Sequence, residues 1–508
     1  MDDRSPSPKG KKFLKLLGRS AMGLAGLLAV WIVGGNYIAS QQEKEIERDL
    51  AAFARRFPKT EPNDSALKLA ALVAKLGLNA GGGTFSPVDR YRASLGDFTP
   101  SEVDRKAFED IQEELGDYLE AQITQPNDAI DPLSEKLQRY LASKQTALAE
   151  IRQHVLTNEV PHWGTDISGI LEGDPTTPLP NFFWLANFHK ILAVDTLEKY
   201  RQGQVDVATE MLEVSWKFNQ SLTESPQSIG QLVALIFSKY RAGVMRKIDN
   251  LPVQWQQRLR ERDYRESTLT SLQGEALYDF NFWQHFIWKK NAKAEIEELW
   301  SSVSESLGIS NSGVFSLMVL YMIPGEDISL KDSISGWTLS NAIFGLKPLM
   351  KPYVRFSAID TYRVRQKSVV TSRQHNICAS DAVEIDDVAG WNYRGWPGWG
   401  FDRSHLSNQF SKSSKAMLDL ELTQKILQVK ALAATEGKWL PSVPDMESSI
   451  CPGAKWVYGV APDGTMSIEF SEKPEWLEER LENGGLPFTY SDKTPPKPEK
   501  PAATPPQR

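Results

Sequence analysis

A chain of 508 residues with 41% hydrophobic and 24% charged side chains has the composition of two or three folded domains and excludes a wholly disordered protein. Acidic residues exceed basic ones, for a net charge of -7, and no basic face is visible past residue 20, which argues against a nucleic-acid partner. Only two cysteines occur, Cys378 and Cys451, and no histidines are spaced to join them in a zinc site, so neither a metal nor a cofactor is expected.

Six basic residues (Arg4, Lys9, Lys11, Lys12, Lys15, Arg19) make 1–19 a cytoplasmic basic segment, and an uncharged apolar run of 19 residues follows from Ala21 to Ala39. At 1.5 Å per residue the run covers about 28 Å, close to the hydrocarbon thickness of a bilayer, which predicts a transmembrane helix over 20–40. Beyond it Glu43, Glu45, Glu47 and Asp49 outnumber Lys44 and Arg48. The positive-inside rule then predicts a single-pass protein of the inner membrane, with its N-terminus cytoplasmic and its bulk periplasmic or otherwise extracytoplasmic. A cleaved signal peptide is the competing reading. Against it, Tyr37-Ile38-Ala39 begins with a bulky residue and Val33-Gly34-Gly35 lies inside the run. Past the membrane, Ile46, Leu50, Phe53 and Phe57 fall on one helical stripe, suited to packing on the next domain or on a second copy.

Residues 41–158 read as helical linker and hairpins. Asn63-Asp64-Ser65 opens a helix that buries Leu67, Ala71 and Leu72 and fades at Gly77. Thr99-Pro100-Ser101-Glu102 is a capping box for a helix to about 124, with Phe108, Ile111, Leu115, Tyr118 and Ile123 on one side. Asp131-Pro132 starts the next, which carries Leu133, Leu137, Leu141, Leu148, Ile151 and Val155. Residues 159–180 are rich in Pro, Gly, Thr and Asp and predict a long loop.

The main helical domain, 181–380, contains predicted helices over 181–201, 204–223 and 227–249, separated by Gly203 and Pro226. The middle pair resembles one tetratricopeptide hairpin, with no repeat beside it at that period. A long helix over 267–306 places Leu269, Leu272, Ala276, Phe280, Trp283, Ile287 and Leu299 mostly on one face. Val314 to Ile323 is apolar but too short to span a bilayer. Helical pattern returns over 353–380.

The Trp/Gly-rich loop 381–404 holds the most unusual composition. Its aromatics Trp391, Tyr393, Trp396, Trp399 and Phe401, with Arg394, suit stacking on sugars, contact with a membrane interface or anchoring of a protein partner; equally, the loop folds them over its own core. Asp381, Glu384, Asp386 and Asp387 precede it without the spacing of a calcium loop. The module 405–490 combines a helix over 406–436 with a β-hairpin, Lys455 to Val460 and Thr465 to Phe470, turned at Asp463-Gly464. A Cys378–Cys451 disulfide across a loop of 73 residues suits an extracytoplasmic location, against the alternative of two buried thiols. The Pro-rich tail 491–508 reads as disordered.

Glu275 and Asp279 stand four apart with His285 nearby, a spacing open to acid-base chemistry or to a plain surface face. The remaining histidines, His154, His162, His189, His375 and His405, form no metal or catalytic motif, and no nucleophile elbow, phosphate loop or dinucleotide fingerprint occurs.

Leu420 to Ser471, through Gly437-Lys438-Trp439-Leu440-Pro441, the strand at Trp456-Val457-Tyr458 and the turn at Asp463-Gly464, resembles the pseudopilin-like tail of bacterial single-pass membrane-anchored proteins of unknown function. The resemblance implies a helix exit followed by a small sheet and carries no catalytic residue. Gly18-Arg19-Ser20-Ala21-Met22-Gly23 lacks the processing site and acidic residue of pilins, so filament formation is not implied.

The sequence therefore predicts a mainly α protein: an N-terminal transmembrane helix, an extracytoplasmic helical bundle or set of hairpins, and a small C-terminal α+β hairpin module. The expected function is an envelope scaffold or assembly protein acting through a protein partner rather than an enzyme. The alternative is a cell-wall glycan-binding protein or hydrolase using the 390–401 aromatics.

Overall fold

No proline falls between Pro8 and Pro58, and the apolar run continues without a break into the acidic stretch beyond it, so residues 8–56 form one helix, α1 (Pro8–Arg56). The computed structural model describes residues 8–80, 99–172, 182–222, 225–282, 347–378, 403–471, 477 and 486–496. After α1 come β1 (Thr60–Pro62), α2 (Asp64–Ala74), α3 (Glu102–Glu109), α4 (Gln112–Thr124), α5 (Glu135–Thr157), β2 (Trp163–Thr165) and α6 (Ser168–Leu171). The second half contains α7 (Phe182–Arg201), α8 (Val205–Gln220), α9 (Ser228–Lys247), α10 (Gln254–Arg258), α11 (Tyr264–Asn281), α12 (Lys347–Gln374) and α13 (Arg403–Glu436). Three strands, β3 (Trp456–Val460), β4 (Met466–Phe470) and β5 (Thr489–Asp492), complete the chain.

The Arg19–Arg56 part of α1 is long and apolar enough to cross a membrane. The body leaves most of this run bare, with Leu27, Val30 and Val33 70, 71 and 70% exposed. Past the run, Ile46 and Phe53 are buried and Leu50 and Phe57 pack beside them, all in one cluster with Phe280 of α11 and Val354, Ala358 and Tyr362 of α12. The stripe thus packs on the chain's own body.

The largest core joins α2–α5 with α7–α9. Leu137, Leu141, Leu148, Ile151 and Val155 of α5 are all buried, as their spacing predicts. In α2 the buried positions are Ala66, Leu69, Leu72 and Val73, while Leu67 and Ala71 are only partly covered, a rotation of the expected face. Gly77 ends this segment at φ 90°, where a Cβ would collide with the Asp104 carbonyl, so the glycine is needed both for its dihedral and for the close approach of α3. The cap of α3 is Ser101, which accepts from the Asp104 amide at 3.1 Å; Thr99 lies two residues before this cap. On α9, Gly243 lets Ile123 of α4 approach so closely that a Cβ would stand 2.6 Å from it.

Two parts of the expected plan are corrected. The 159–180 segment contains β2, which pairs antiparallel with β1 through Thr60↔Thr165 and Pro62↔Trp163, and the short α6. Order also continues past 490, because β5 adds a third antiparallel strand to the hairpin, with Met466↔Asp492 in register; residues 497–508 lie outside the described residues. The sheet packs Trp456, Met466, Ile468 and Tyr490 onto Leu418, Leu422, Ile426 and Val429 of α13. The Cys378–Cys451 disulfide, Cα atoms 5.4 Å apart, ties the turn after α12 to this module.

Candidate functional site

Charges buried between helices are compensated almost everywhere. Arg246 of α9, 3% exposed, donates to the Thr423 hydroxyl at 3.0 Å, the Pro487 carbonyl at 2.8 Å and the Asp419 carbonyl at 3.0 Å. On α12, Arg365 pairs with Asp279 of α11, and Arg355 pairs with Glu43 of α1. Such partners are what make a buried ion tolerable.

One cluster departs from this pattern. A cleft of about 1000 Å³ opens between the end of α1, the 160–162 connection, the C-terminal end of α8 and the start of α11. At its floor stands Tyr264, the first residue of α11, placed there because Asp263 caps the helix by accepting from the Glu266 amide at 2.9 Å. Tyr264 is 2% exposed, and its hydroxyl accepts from Asn219 Nδ2 at 2.7 Å and from Arg241 Nη2 at 3.3 Å. Two guanidinium groups flank it. Arg262 lies over the Tyr264 ring, Cζ 4.4 Å from its centroid, and donates through Nη2 to Gln231 Oε1 at 2.8 Å. Arg241, 2% exposed, lies over Trp216 at 4.6 Å.

The Nε and Nη1 groups of both arginines, and Oδ1 of Asn219, are buried without a hydrogen-bond partner. Among the described residues, neither arginine takes part in an ion pair. The field this creates is visible in the neighbouring groups. Burial pushes the Tyr264 phenol up, yet Arg241 and Arg262 together outweigh it and leave its pKa below the ordinary value. His189, which meets the Ser215 hydroxyl at 3.2 Å through Nε2, is pushed down to about 3 by burial and by Arg241. Arg262 is itself lowered, first by burial.

The lip of the cleft is mixed. Arg56 and His162 stand opposite Glu261, Asp263 and Glu266; Asp263 is used as the helix cap, and Glu266 receives Arg373 Nε and Nη2, each at 2.8 Å. Arg262 is thus the cationic group of the lining that stands beside Tyr264, while Arg241 is not among the lining side chains. Arg262 Nη2 is held by Gln231 Oε1, so an oxyanion entering the cleft reaches that group by displacing the Gln231 amide. Gln231 is otherwise held by its Nε2, which donates to the Ser225 carbonyl at 2.5 Å. The arrangement can bind and orient a carboxylate or phosphate; of its lining groups the Thr60 hydroxyl stands 3.4 Å from His162 Nε2, but His162 Nδ1 accepts from the Gly164 amide at 3.1 Å, which leaves the proton of the neutral ring on Nε2 and removes it as a base toward Thr60.

The loop residues Trp391, Tyr393, Arg394, Trp396, Trp399 and Phe401 lie outside the described residues, as does His285. Glu275 and Asp279 do not form an exposed face. Asp279 is bound to Arg365, whereas burial pushes Glu275 up to about 7, against the opposing hydrogen bond from Ser228. The apolar segment 314–323 also falls outside the described residues. Among the described residues, no group of three His, Cys, Asp or Glu side chains could hold a metal ion. The sequence reading did not single out Arg241, Arg262, Tyr264, Asn219 or Gln231. One signal for Arg241 was available: it interrupts the otherwise apolar and small face Phe237, Ala242, Val244, Met245.

No protein family, curated protein or solved structure matches this chain.

Proposed function

We propose that the chain is a membrane-anchored scaffold or assembly protein that grips an acidic group of its partner in the Tyr264 cleft. The observation that carries the reading is the Arg262 guanidinium, which lines the cleft over the Tyr264 ring with Nε and Nη1 unpartnered; the buried Arg241, hydrogen-bonded to the same Tyr264, adds a second unpaired charge close by. Leaving such charge unpaired costs several kcal/mol in a protein interior, roughly 3–5 where one partner of an ion pair is missing, and a bound oxyanion would offset that cost. The basic residues ahead of the apolar run support an extracytoplasmic position for this body. The interaction test uses full-length protein in detergent. Native affinity purification of the wild type recovers a stoichiometric partner, and Arg262→Gln, which keeps its thermal midpoint, does not. Equal recovery from a folded Arg262→Gln protein would reject this role for the cleft.

Glycan binding is the second reading, favoured by the amide side chains of Asn219 and Gln231 in the same cleft. It predicts retention of cell-wall fragments on the immobilised full chain, and loss of that retention in Gln231→Leu.

A further inference from the structure

We propose that the first two turns of α12 form a second lipid-contacting element, lying in the same leaflet as the body-side end of α1, with Lys351 reaching an anionic lipid headgroup. This rests on α1 crossing the bilayer and goes beyond it, because among the described residues length and composition single out only the one helix.

The two helices run side by side in the same direction. Their contacts climb in step: Trp31 with Leu349, Gly35 with Pro352, Glu43 with Arg355 and Asp49 with Tyr362. The lower contacts are inside the apolar run. Trp31 Nε1 donates to the Leu349 carbonyl at 2.9 Å, its ring lies 6.3 Å from Phe356, and a Cβ on Gly35 would stand 2.8 Å from Pro352 Cβ. Trp31 precedes Ala39 by eight residues, so its depth below the end of the run is about 12 Å, and that of Gly35 is about 6 Å. Leu349 and Pro352 are carried to the same depths by contact.

An indole N–H within hydrocarbon needs an acceptor, since no water is present to serve as one. Here the acceptor comes from α12. The chemistry of its first turns suits the site. Leu349, Met350, Tyr353 and Phe356 are only partly covered by protein, and Pro348 removes one of the orphan amides of a helix start. Lys351 is exposed, about 8 Å below the end of the run, one residue deeper than Pro352, and its stem brings the ammonium toward the headgroup layer by snorkelling. One turn higher, Arg355 is already enclosed by Asn36, Ser40 and Glu43, which marks where the pair leaves the apolar layer.

The test places an environment-sensitive dye on Met350→Cys in the full-length protein; the native cysteines are joined to each other and do not react. Met22→Cys, within the run, and Val370→Cys, 47% exposed farther up α12, are the references. The protein is reconstituted into phosphatidylcholine vesicles, with and without phosphatidylglycerol, that carry nitroxide lipids. The proposal expects quenching and blue-shifted emission at positions 22 and 350 but not at 370. It also expects Lys351→Glu to weaken the phosphatidylglycerol-dependent part of quenching at 350 about fivefold. Position 350 behaving like 370 while 22 stays quenched would overturn the second contact and leave the span intact. An unquenched position 22 would overturn the span and the proposal together. Quenching at 350 that ignores both phosphatidylglycerol and Lys351→Glu would overturn the headgroup pairing.

Discussion

The junction between α1 and the body rests on Arg355, and replacing Glu43 tests it directly. Arg355 donates from Nε to Glu43 Oε1 at 2.7 Å, from Nη2 to Glu43 Oε2 and to the Ser40 hydroxyl at 2.6 Å, and from Nη1 to the Asn36 carbonyl at 3.0 Å and side-chain oxygen at 2.9 Å. Both side chains of the pair are about nine-tenths buried. Removing one member of a buried pair costs roughly 3–5 kcal/mol. Asn36 and Ser40 keep part of the guanidinium satisfied, which places Glu43→Met near the lower end, about 3 kcal/mol. Arg355→Met leaves the Glu43 carboxylate buried and unpaired, and is expected to cost about the same. The double replacement buries neither charge, so it should cost about 3 kcal/mol or less, where independent effects would sum to about 6. Hydrogen exchange in the 354–362 stretch of α12 reads the opening of this junction, and each single change should lower protection there about a hundredfold. Additive losses, or protection within threefold of wild type after Glu43→Met, would refute the reasoning.

Two further outcomes follow from groups elsewhere in the fold. Breaking Cys378–Cys451 by Cys378→Ala and Cys451→Ala, or by a reductant, releases a 73-residue loop and should cost about 4 kcal/mol on the chain-entropy account, seen as a lower denaturation midpoint; an unchanged midpoint would reject it. Glu275 titrates near 7 in the folded protein, against 4.5 for its ordinary value, because burial disfavours its charged form, with Ser228 and Arg365 opposing and Asp279 reinforcing the shift. The folded state thus holds the proton that the unfolded state has lost. This contribution is complete below about pH 4.5 and falls away as pH rises through 7. Glu275→Gln should flatten the decline in unfolding midpoint between pH 5 and pH 8, and an identical slope in both proteins would exclude Glu275 as its source.

The parts of this fold that follow from local rules were readable in the sequence. Helices predicted over 181–201, 204–223 and 227–249 are observed as Phe182–Arg201, Val205–Gln220 and Ser228–Lys247, since Gly203 and Pro226 punctuate them and apolar spacing runs through each. The β3–β4 hairpin follows from the alternation of Met466, Ile468 and Phe470 and the Asp463-Gly464 turn. Elements whose reason for existing is a distant partner were not readable. β1 and β2 have three residues each, too few to alternate, and meet across about a hundred positions. β5 straddles position 490, where composition ends the ordered module and begins a disordered tail, and its buried Tyr490 and Asp492 acquire meaning only beside β4. Helical pattern resumes in the sequence at 353, yet α12 begins at Lys347 and carries Pro352 inside it, because Gly35 leaves room for the ring and the α1 contacts hold the early turns.

The same distinction explains why the cleft was invisible while the aromatic loop drew notice. Trp391, Trp396 and Trp399 are conspicuous by composition, which a reader of one sequence can see without any geometry. Arg241 and Arg262 are unremarkable as letters in a chain with 58 basic residues. Their significance is a deficit: a buried guanidinium matters when its carboxylate is missing, and the absence can be recognised only after the partners of every neighbouring helix are known. Arg246, five residues after Arg241 on the same helix, shows the contrast. It is equally buried, but Asp419, Thr423 and Pro487 from two distant segments satisfy it. Sequence spacing gives the two arginines the same reading, and only the packing of α9 against α13 and α11 separates a guanidinium that is fully satisfied from one that keeps two groups unpartnered.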